Sequence, residues 1–458
     1  LDAANAVIAR NLWRKEKRLF TEQLGGEPIL YHTAEDERRE AEFVVRAIRR
    51  LEHEGRSPED FAVFYRTHAQ SRVLEEAMLA ADLPYAIIGG TRFYDRAEVK
   101  DLLAYLRVVA NPADEISLER IVNRPTRGIG DTTYERVVER ARAERRTVWE
   151  AMRATCDGDD ATLSGAPKKK LRVFVDLLDE LKGFVGTLGG LAEAILERTG
   201  YLERLAAESS HESQDRIENL MELVGSIKDF EREAEAQGGS PPTLVEYLER
   251  VSLVSPTDEK MRGVTLMTVH AAKGLEFPVV FVTGLEDGVF PSLRDGEDAE
   301  ALEEERRLAY VAITRARERL FLTNARSRHL FGQDARPFRE SRFLADIPDG
   351  CIARPVAAPR PQHAAEGWRR NRPPPMAERA ARVETRDRGI SVEYEPDAGA
   401  SFGDDAEVPF HLGQRVRHPM FGEGEVRGFT GQGRDLKLTV YFPSIGPKTI
   451  VARFVEVV

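Results

Sequence analysis

Apolar residues in the first part of the chain recur with two spacings, one typical of amphipathic helices and one typical of short buried strands. The pattern predicts a helix over Ala34–Gly55 and then a strand over Phe61–Arg66. A second helix over 73–81, a second strand over 85–88 and a third helix over 97–109 continue the alternation. Parallel strands need crossover connections, so helices that alternate with short apolar strands predict a parallel sheet.

The middle of the chain departs from this alternation. Between residues 113 and 254 the strand signals are missing, and the apolar residues keep the spacing of helices. Strands resume at Val264–His270 and Pro278–Thr283, and the second is apolar enough to be buried on both faces. We therefore predict an α/β domain, built from 1–112 and 255–347, that is interrupted by an all-helical insertion.

The last part of the chain changes character twice. Residues 348–407 are rich in proline, arginine, alanine and acidic residues. Such a composition cannot offset the entropy of ordering, so a flexible linker is predicted. Short strands with glycine turns follow within 408–458 and predict a small antiparallel barrel.

Composition excludes several classes of protein. The chain has 458 residues, 41% hydrophobic and 32% charged, and no apolar run near the length of a membrane-spanning helix, so no membrane association is expected. Its two cysteines, Cys156 and Cys351, exclude a disulfide framework or a cysteine-based zinc site and fit the reducing cytoplasm. The net charge of −11 leaves nucleic-acid binding to local basic patches.

One segment with candidate chemistry runs from Val264 to Val282. It joins two predicted strands through a short loop that holds His270, Lys273 and Glu276. Open α/β sheets bind ligands at the carboxyl ends of their strands, so polar residues crowded into this loop indicate a site. The alternative is a solvated turn whose lysine and glutamate pair on the surface.

A second such segment is the predicted helix Glu303–Arg317, which leads into a strand over 319–323. Leu308, Val311 and Ala312 form its buried face. Arg315 lies near the helix end, where a guanidinium could reach a bound phosphate and act as an arginine finger. A solvated or salt-bridged arginine is the alternative, and it is the more frequent role of arginines on helices.

Four segments in a fixed order resemble the UvrD/PcrA/Rep family of superfamily 1 DNA helicases, and the PcrA/UvrD branch most closely. They are 61–72, 89–96, 264–282 and 303–317. The resemblance runs from Leu1 to about Ile347 and resumes in the terminal barrel. It implies a RecA-like parallel-sheet domain, and an ATP-dependent DNA helicase or translocase that moves 3′ to 5′ in repair and replication. ATP and Mg²⁺ would lie between two RecA-like domains.

The resemblance also implies roles for single residues. Arg315 would be the catalytic arginine, and Glu276 would bind ATP together with it. The residues that would contact single-stranded DNA are Arg66, Thr67, His68, Thr268 and His270, and the family commonly has asparagine where this chain has His68. Phe331 resembles a base-stacking aromatic of the family, with a core phenylalanine as the alternative. The resemblance assigns no metal ligand to this chain.

Two further features bear on partners. Gly128 and Gly130, in the sequence Gly-Ile-Gly between predicted helices, resemble a helix-hairpin-helix turn, whose amides can hold a duplex phosphate without reading sequence. A plain helix–helix turn is the alternative. The barrel resembles the Tudor-like module of these helicases, which binds protein partners, including RNA polymerase. The implied partners are therefore single-stranded and duplex DNA and RNA polymerase.

The chain lacks the phosphate loop that such a motor needs, because Gly-Lys-Ser/Thr occurs nowhere in it. Ile445–Thr449 comes near but has proline where the loop must donate an amide, and Asp114-Glu115 imitates a magnesium-binding pair without a buried strand before it. In addition, Leu1 is not methionine, and helical spacing begins there without a capping residue.

We therefore expect the C-terminal half of a helicase, without the N-terminal RecA-like domain through which ATP and Mg²⁺ would bind, and without ATPase activity alone. The alternative is a non-catalytic adaptor for nucleic acid or RNA polymerase that has lost its motor domain. A nuclease would rest only on Pro256–Lys260, which lacks the separated acidic residues of a two-metal centre.

Overall fold

The structure is a computed structural model in which the chain divides into two compact units, Leu1–Arg360 and Pro361–Val458. It describes residues 1–11, 25–158, 163, 165–238, 240–254, 262–292, 299–329, 335–353, 411, 413–418, 422–430, 437–442, 446–451 and 456–457.

The described strands and helices have the following bounds. The strands are β1 (Ile29–Ala34), β2 (Phe61–Tyr65), β3 (Tyr85–Ile88), β4 (Val264–Thr268), β5 (Phe277–Val282), β6 (Ala316–Ala325), β7 (Ser327–Arg328), β8 (Arg336–Pro337), β9 (Ile352–Ala353), β10 (Arg415–His418), β11 (Gly422–Thr430), β12 (Lys437–Phe442), β13 (Gly446–Val451) and β14 (Glu456–Val457). The helices are α1 (Asp2–Ala9), α2 (Glu37–His53), α3 (Ser71–Ala80), α4 (Ala97–Ala110), α5 (Glu115–Ile121), α6 (Asp131–Glu144), α7 (Val148–Asp157), α8 (Gly165–Lys182), α9 (Leu188–Arg198), α10 (Tyr201–Glu208), α11 (His211–Ala236), α12 (Leu244–Val254), α13 (Ala299–Ile313) and α14 (Arg342–Ala345).

A seven-stranded parallel sheet organises the first unit, with the strand order β3-β4-β2-β5-β6-β1-β9. β2 lies between β4 and β5, with Val63 beside both Leu266 and Phe281. Strands that precede the helical segment are therefore interleaved, in one sheet, with strands that follow it. This arrangement confirms the predicted α/β class and its interruption by helices.

Every residue of β2 is buried because the sheet is covered on both faces. Phe61, Val63 and Tyr65 share a core with α2 and α3. Ala62 and Phe64 share another core with α1, α13 and α14. Successive side chains of a strand point to opposite faces, so a continuous apolar run is what a strand at this position requires.

Two edge strands are not predicted from the sequence. β1 has a weak burial pattern, with polar His32 and Thr33 among its residues. β9 has only two residues, which is too short for any periodicity, and it pairs in parallel with β1. The sheet therefore extends to Ala353, and the prediction of a linker from residue 348 is wrong for its first six positions. The remainder of the predicted linker lies outside the described residues.

The helical part begins earlier than residue 113. The buried side chains of α4, Val99, Leu102 and Leu106 among them, belong to the core that the later helices form, and this core starts at Phe93. Pro112 ends the helix, but the end of a helix is not the boundary of a domain. For this reason a sequence boundary drawn at the proline separates α4 from the helices with which it packs.

Buried charged groups join α11 of the helical part to the sheet layer. Arg72 on α3 is 3% exposed and donates to Glu222 over 2.7 Å. Arg96 donates to Asn219 Oδ1 (2.7 Å) and to the carbonyl oxygen of His68 (3.0 Å). Arg96 thus connects α11 to the loop that follows β2, and Arg72 connects α11 to α3.

The second unit contains a five-stranded antiparallel sheet in the order β13-β12-β11-β10-β14. A bulge between Val426 and Gly428 interrupts the pairing of β11 with β12, and bulges increase the local twist of a strand. Val416, Val426 and Leu438 are fully buried in it. The antiparallel sheet confirms the predicted fold of this segment. Among the described helices of the chain, none is long and apolar enough to cross a membrane.

Candidate functional site

The carboxyl ends of three neighbouring strands, β3, β4 and β2, meet at one edge of the sheet. Arg66–His68 follow β2, Thr268–His270 end β4 and follow it, and Gly89-Gly90 follow β3. A Cβ on Gly90 would lie 2.8 Å from His68 Cε1, so glycine is required for this close approach. The structure thus brings the predicted DNA residues of two loops to one edge, and it adds the Gly89-Gly90 turn beside them.

Arg66 has a partner that the sequence does not indicate. Its Nε and Nη2 atoms donate to the carboxylate of Glu305 on α13 over 2.6–3.0 Å. Glu305 Oε2 also accepts from the amide of Ser292 at 2.9 Å. The backbone amides of Arg66 and Thr67 both donate to Gln70 Oε1 at 2.9 Å. The Arg66 guanidinium is therefore already engaged, and the loop after β2 is held in place by side chains of the protein.

The two histidines of this edge are uncharged at neutral pH. Burial lowers the pKa of His68 below its usual 6.5, and the charge of Arg96 lowers it further. Burial and the nearby Arg66 guanidinium likewise lower the pKa of His270. The buried Nδ1 atom of His68 has no hydrogen-bond partner in the described part of the chain.

We expect the affinity of the chain for single-stranded DNA to depend on pH through these histidines. Their pKa values are lowered, so protonation adds positive charge beside the phosphates only below about pH 6.5, and affinity should rise as the pH falls through that range. Fluorescence anisotropy at constant ionic strength between pH 5.5 and 8 measures this. His68→Asn combined with His270→Asn should flatten the profile; an unchanged profile would contradict the assignment.

Glu276 and Arg315 lie at the opposite edge, immediately before β5 and β6. Arg315 Nη1 donates to the carbonyl oxygen of Leu275 at 3.1 Å, and the amide of Phe277 donates to the carbonyl oxygen of Arg315 at 3.0 Å. The two residues thus share one surface. The expectation that the whole polar loop clusters at the carboxyl ends is wrong for Glu276, because parallel β4 and β5 force the chain to return to the amino edge.

The charge of Arg315 is not neutralised by a neighbour. Its Nε donates to the carbonyl oxygen of Val311 (3.1 Å) and its Nη2 to Thr314 Oγ1 (2.9 Å), and both acceptors are neutral. Within the described residues, no carboxylate lies within 4.0 Å of this half-buried guanidinium. The guanidinium is therefore oriented by neutral oxygens, and its charge stays available to an anion.

Glu276 is exposed and pairs with Arg317 rather than with Lys273. Arg317 Nε lies 3.3 Å from Glu276 Oε2, with side chains 61% and 51% exposed. Exposed pairs of this kind contribute about 0–1 kcal/mol, so the carboxylate is readily released to a ligand.

The Gly-Ile-Gly turn connects α5 and α6, and its backbone amides are hydrogen-bonded by a side chain of the protein. Asn123 Oδ1 accepts from the amides of Arg127 (2.8 Å), Gly128 (3.0 Å) and Ile129 (3.3 Å). The Gly128 amide, predicted to hold a phosphate, therefore already has an acceptor. Gly130 is the N-cap of α6 and lines a cleft of about 670 Å³. Phe331, the predicted stacking aromatic, lies outside the described residues.

The structure adds Glu305 and Asn123 to the residues that the sequence singles out, and it places the start of the resembling segment 89–96 beside the predicted DNA residues. The helical periodicity of α13 indicates that Glu305 is buried, because residues 305, 308, 309 and 312 fall on one helix face. Asn123 precedes its amides by four to six residues, a local pattern that asparagine favours.

Comparison with known proteins decides the family. Residues 1–327 match the model of the UvrD-like helicase C-terminal domain, and residues 412–457 match the model of the PcrA/UvrD tudor domain. The chain belongs to the UvrD-like helicase family. The second match identifies the antiparallel sheet of the second unit as the predicted Tudor-like domain.

Curated relatives in this family are ATP-dependent DNA helicases. The chain is 37% identical over 469 residues to PcrA of Staphylococcus aureus strain Mu50, covering 100% of the chain and 60% of that relative. It is 42% identical over 463 residues to UvrD1 of Mycobacterium tuberculosis strain H37Rv, covering 97% of the chain and 58% of the relative. The chain thus spans about three fifths of the length of these relatives.

A solved structure described as the C-terminal domain of a possible DNA helicase from Lactobacillus plantarum WCFS1 is 23% identical. It covers 27% of this chain and 61% of its own, with a TM-score of 0.15, which supports no structural argument.

Proposed function

We propose that this chain is the C-terminal half of an ATP-dependent DNA helicase that moves 3′ to 5′ and acts in repair and replication. It would supply one side of the ATP-binding cleft and part of the surface that contacts single-stranded DNA. The observation that carries this proposal is the shared surface of Glu276 and Arg315, on which Arg315 has no carboxylate partner among the described residues.

ATP fits this surface in charge and in accessibility. The Arg315 guanidinium would hold a phosphate oxygen and stabilise the charge that develops on it, as arginine fingers do, and Glu276 would bind to the nucleotide or its water shell. ATP supplies the phosphoryl group that is transferred to water. The described residues contain no cluster of three His, Cys, Asp or Glu side chains that could hold a metal ion. Mg²⁺ and the phosphate loop would therefore come from an N-terminal RecA-like domain.

Single-stranded DNA would bind along the carboxyl ends of β3, β4 and β2. Thr67, His68 and His270 offer hydroxyl and imidazole groups there, and the exposed Gly89-Gly90 turn permits close approach of a backbone. Thr268 is buried, and its hydroxyl accepts from the amide of Ala271 at 3.3 Å, so it would support the loop from within. Because both histidines are neutral, this edge would bind mainly by shape and hydrogen bonds, with little dependence on counterion release. Duplex DNA would meet the α6 end of the Gly-Ile-Gly turn.

The Tudor-like domain would dock the motor to a protein partner, and we propose RNA polymerase as that partner. Its described strands carry exposed ion pairs, Arg417 with Glu423 (2.5 Å) and Arg427 with Glu425 (3.3 Å), and no group suited to catalysis. The first pair joins β10 to β11 and the second lies along β11, and exposed charges of this kind suit a polar docking surface.

Two proteins test the proposal: the chain alone, and the chain fused behind the N-terminal part of Staphylococcus aureus PcrA. We expect the chain alone to bind single-stranded DNA without hydrolysing ATP, because it contains no phosphate loop. The fusion should hydrolyse ATP in response to DNA. Phosphate release and DNA anisotropy give the two readouts.

The outcomes separate the proposal from its alternative. ATP hydrolysis by the chain alone, abolished by Arg315→Ala, would contradict the proposal that the phosphate loop must come from an N-terminal domain. A fusion that binds DNA but never hydrolyses ATP would favour the non-catalytic adaptor.

A further inference from the structure

Helix α13 connects the two edges of the sheet that carry the candidate sites. At its middle, Glu305 contacts Arg66 directly after β2, at the edge proposed for DNA. Just beyond its end, Arg315 contacts Leu275, at the edge proposed for ATP. Arg315 follows Glu305 by ten positions, of which the first eight, 306–313, belong to α13, a helical length of about 12 Å at the rise per residue.

The contact between Arg66 and Glu305 fixes the position of one side chain relative to the other. The carboxylate is chelated by two guanidinium nitrogens over 2.6–3.0 Å, and the Glu305 side chain is 6% exposed. Bidentate charge-assisted pairs fix orientation as well as distance. The neighbouring Glu304 is different, because its side chain is 60% exposed and, among the described residues, its ion-pair partner is Arg307, one turn away on the same helix.

The part of α13 between Glu305 and its C-terminal end is anchored by buried side chains. Arg306 is nearly buried and forms an ion pair with Asp346, close to the end of α14. Leu308, Ala309 and Ala312 are buried in the core beneath the sheet. These contacts keep the part of α13 between Glu305 and its C-terminal end straight and packed against the sheet.

We propose that Arg66 is a positioning residue that, through Glu305 and α13, makes the placement of Arg315 depend on whether the DNA edge is occupied. This replaces the role of direct DNA ligand that the family resemblance implies for Arg66. It rests on the proposed function. A strand that binds to the loop after β2 shifts the Arg66 backbone, the chelated Glu305 follows, and Arg315 moves relative to Leu275 and Glu276.

DNA binding by the chain alone tests the first half of this inference. At pH 8, where His270 stays neutral even without the Arg66 charge that lowers its pKa, Arg66→Gln should leave the affinity for single-stranded DNA, and the slope of log affinity against log salt, unchanged. If Arg66 is instead a phosphate ligand, the affinity falls and the slope becomes shallower by about 0.7, the value for one phosphate contact on a single strand. That result would overturn the proposal.

ATP hydrolysis by the fusion with the PcrA N-terminal part tests the second half. Glu305→Gln and Arg66→Gln should each lower the DNA-stimulated kcat about tenfold, a usual size for coupling between sites. The basal rate without DNA and the DNA concentration that gives half stimulation should not change. The charge swap Arg66→Glu with Glu305→Arg should restore part of the stimulation, and the unchanged basal rate of the single variants separates lost coupling from a loss of stability.

Glu304→Gln is the matched control, since it makes the same chemical change on the exposed side of α13 and should have no effect. Equal behaviour of Glu305→Gln and Glu304→Gln would overturn this inference and leave the proposed function intact. A wild-type fusion without DNA-stimulated hydrolysis would instead contradict the proposed function and this inference together.

Discussion

Replacing Arg315 by alanine will lower DNA-stimulated ATP hydrolysis by the completed motor about 10³–10⁵-fold, the contribution expected of an arginine finger. The reason lies in its surroundings, since three donors of the guanidinium are oriented by neutral oxygens of Val311, Thr314 and Leu275. A preorganised charge of this kind stabilises the transition state without reorganisation. Steady-state phosphate release by the fusion with the PcrA N-terminal part measures the loss.

DNA affinity separates this role from a general loss of structure. Arg315 lies at the amino edge of the sheet, away from the loops after β2 and β4, so the alanine variant should keep its affinity for DNA within about twofold. Arg307→Ala, on the exposed side of α13, is the control and should match the wild type in both assays. If Arg315→Ala weakened DNA binding as much as hydrolysis, the residue could not be assigned to the ATP cleft.

Replacing Arg328 by methionine will destabilise the sheet by about 3–5 kcal/mol, the cost of leaving buried charges without their partner. Arg328 donates to Glu286 over 2.6 and 2.8 Å and also to Glu40, and all three side chains are at most 5% exposed. Burial raises the pKa of Glu286 even with Arg328 beside it. Without the guanidinium, two carboxylates would face each other in the core.

Hydrogen exchange of the amides in β5 and β6 under native conditions measures this loss locally, which suits a chain with more than one compact unit. Arg319→Met is the matched control, because Arg319 is 24% exposed and pairs with surface Glu27 and Glu54. We expect it to cost less than about 1 kcal/mol. Equal protection in the two variants would show that the Arg328 cluster does not stabilise the sheet.

Much of the fold follows from the sequence because the central strands carry strong signals. β2 and β5 are apolar runs bounded by polar turns, which the burial of both sheet faces requires. β1 and β9 could not be predicted in this way. β1 includes His32 and Thr33, and β9 exists only because the chain returns to the edge of a strand that is distant in sequence.

The candidate site follows from the sequence only in its parts. Glu276 and Arg315 each stand out as polar residues beside a predicted strand, but their common surface depends on β5 and β6 being neighbours. The partner of Arg66 lies 239 positions away, beyond any local pattern. Asn123 could have been noticed, because its acceptor role is local in the chain.

The interleaved strand order has a consequence for biosynthesis. β2 leaves the ribosome before the helical part, yet both of its neighbours, β4 and β5, are made after it. This strand, whose residues are all buried in the folded sheet, therefore lacks both of its neighbours until translation passes Val282. Pairings so distant in sequence form slowly and leave apolar segments exposed to aggregation, so the nascent chain should depend on chaperones during this interval.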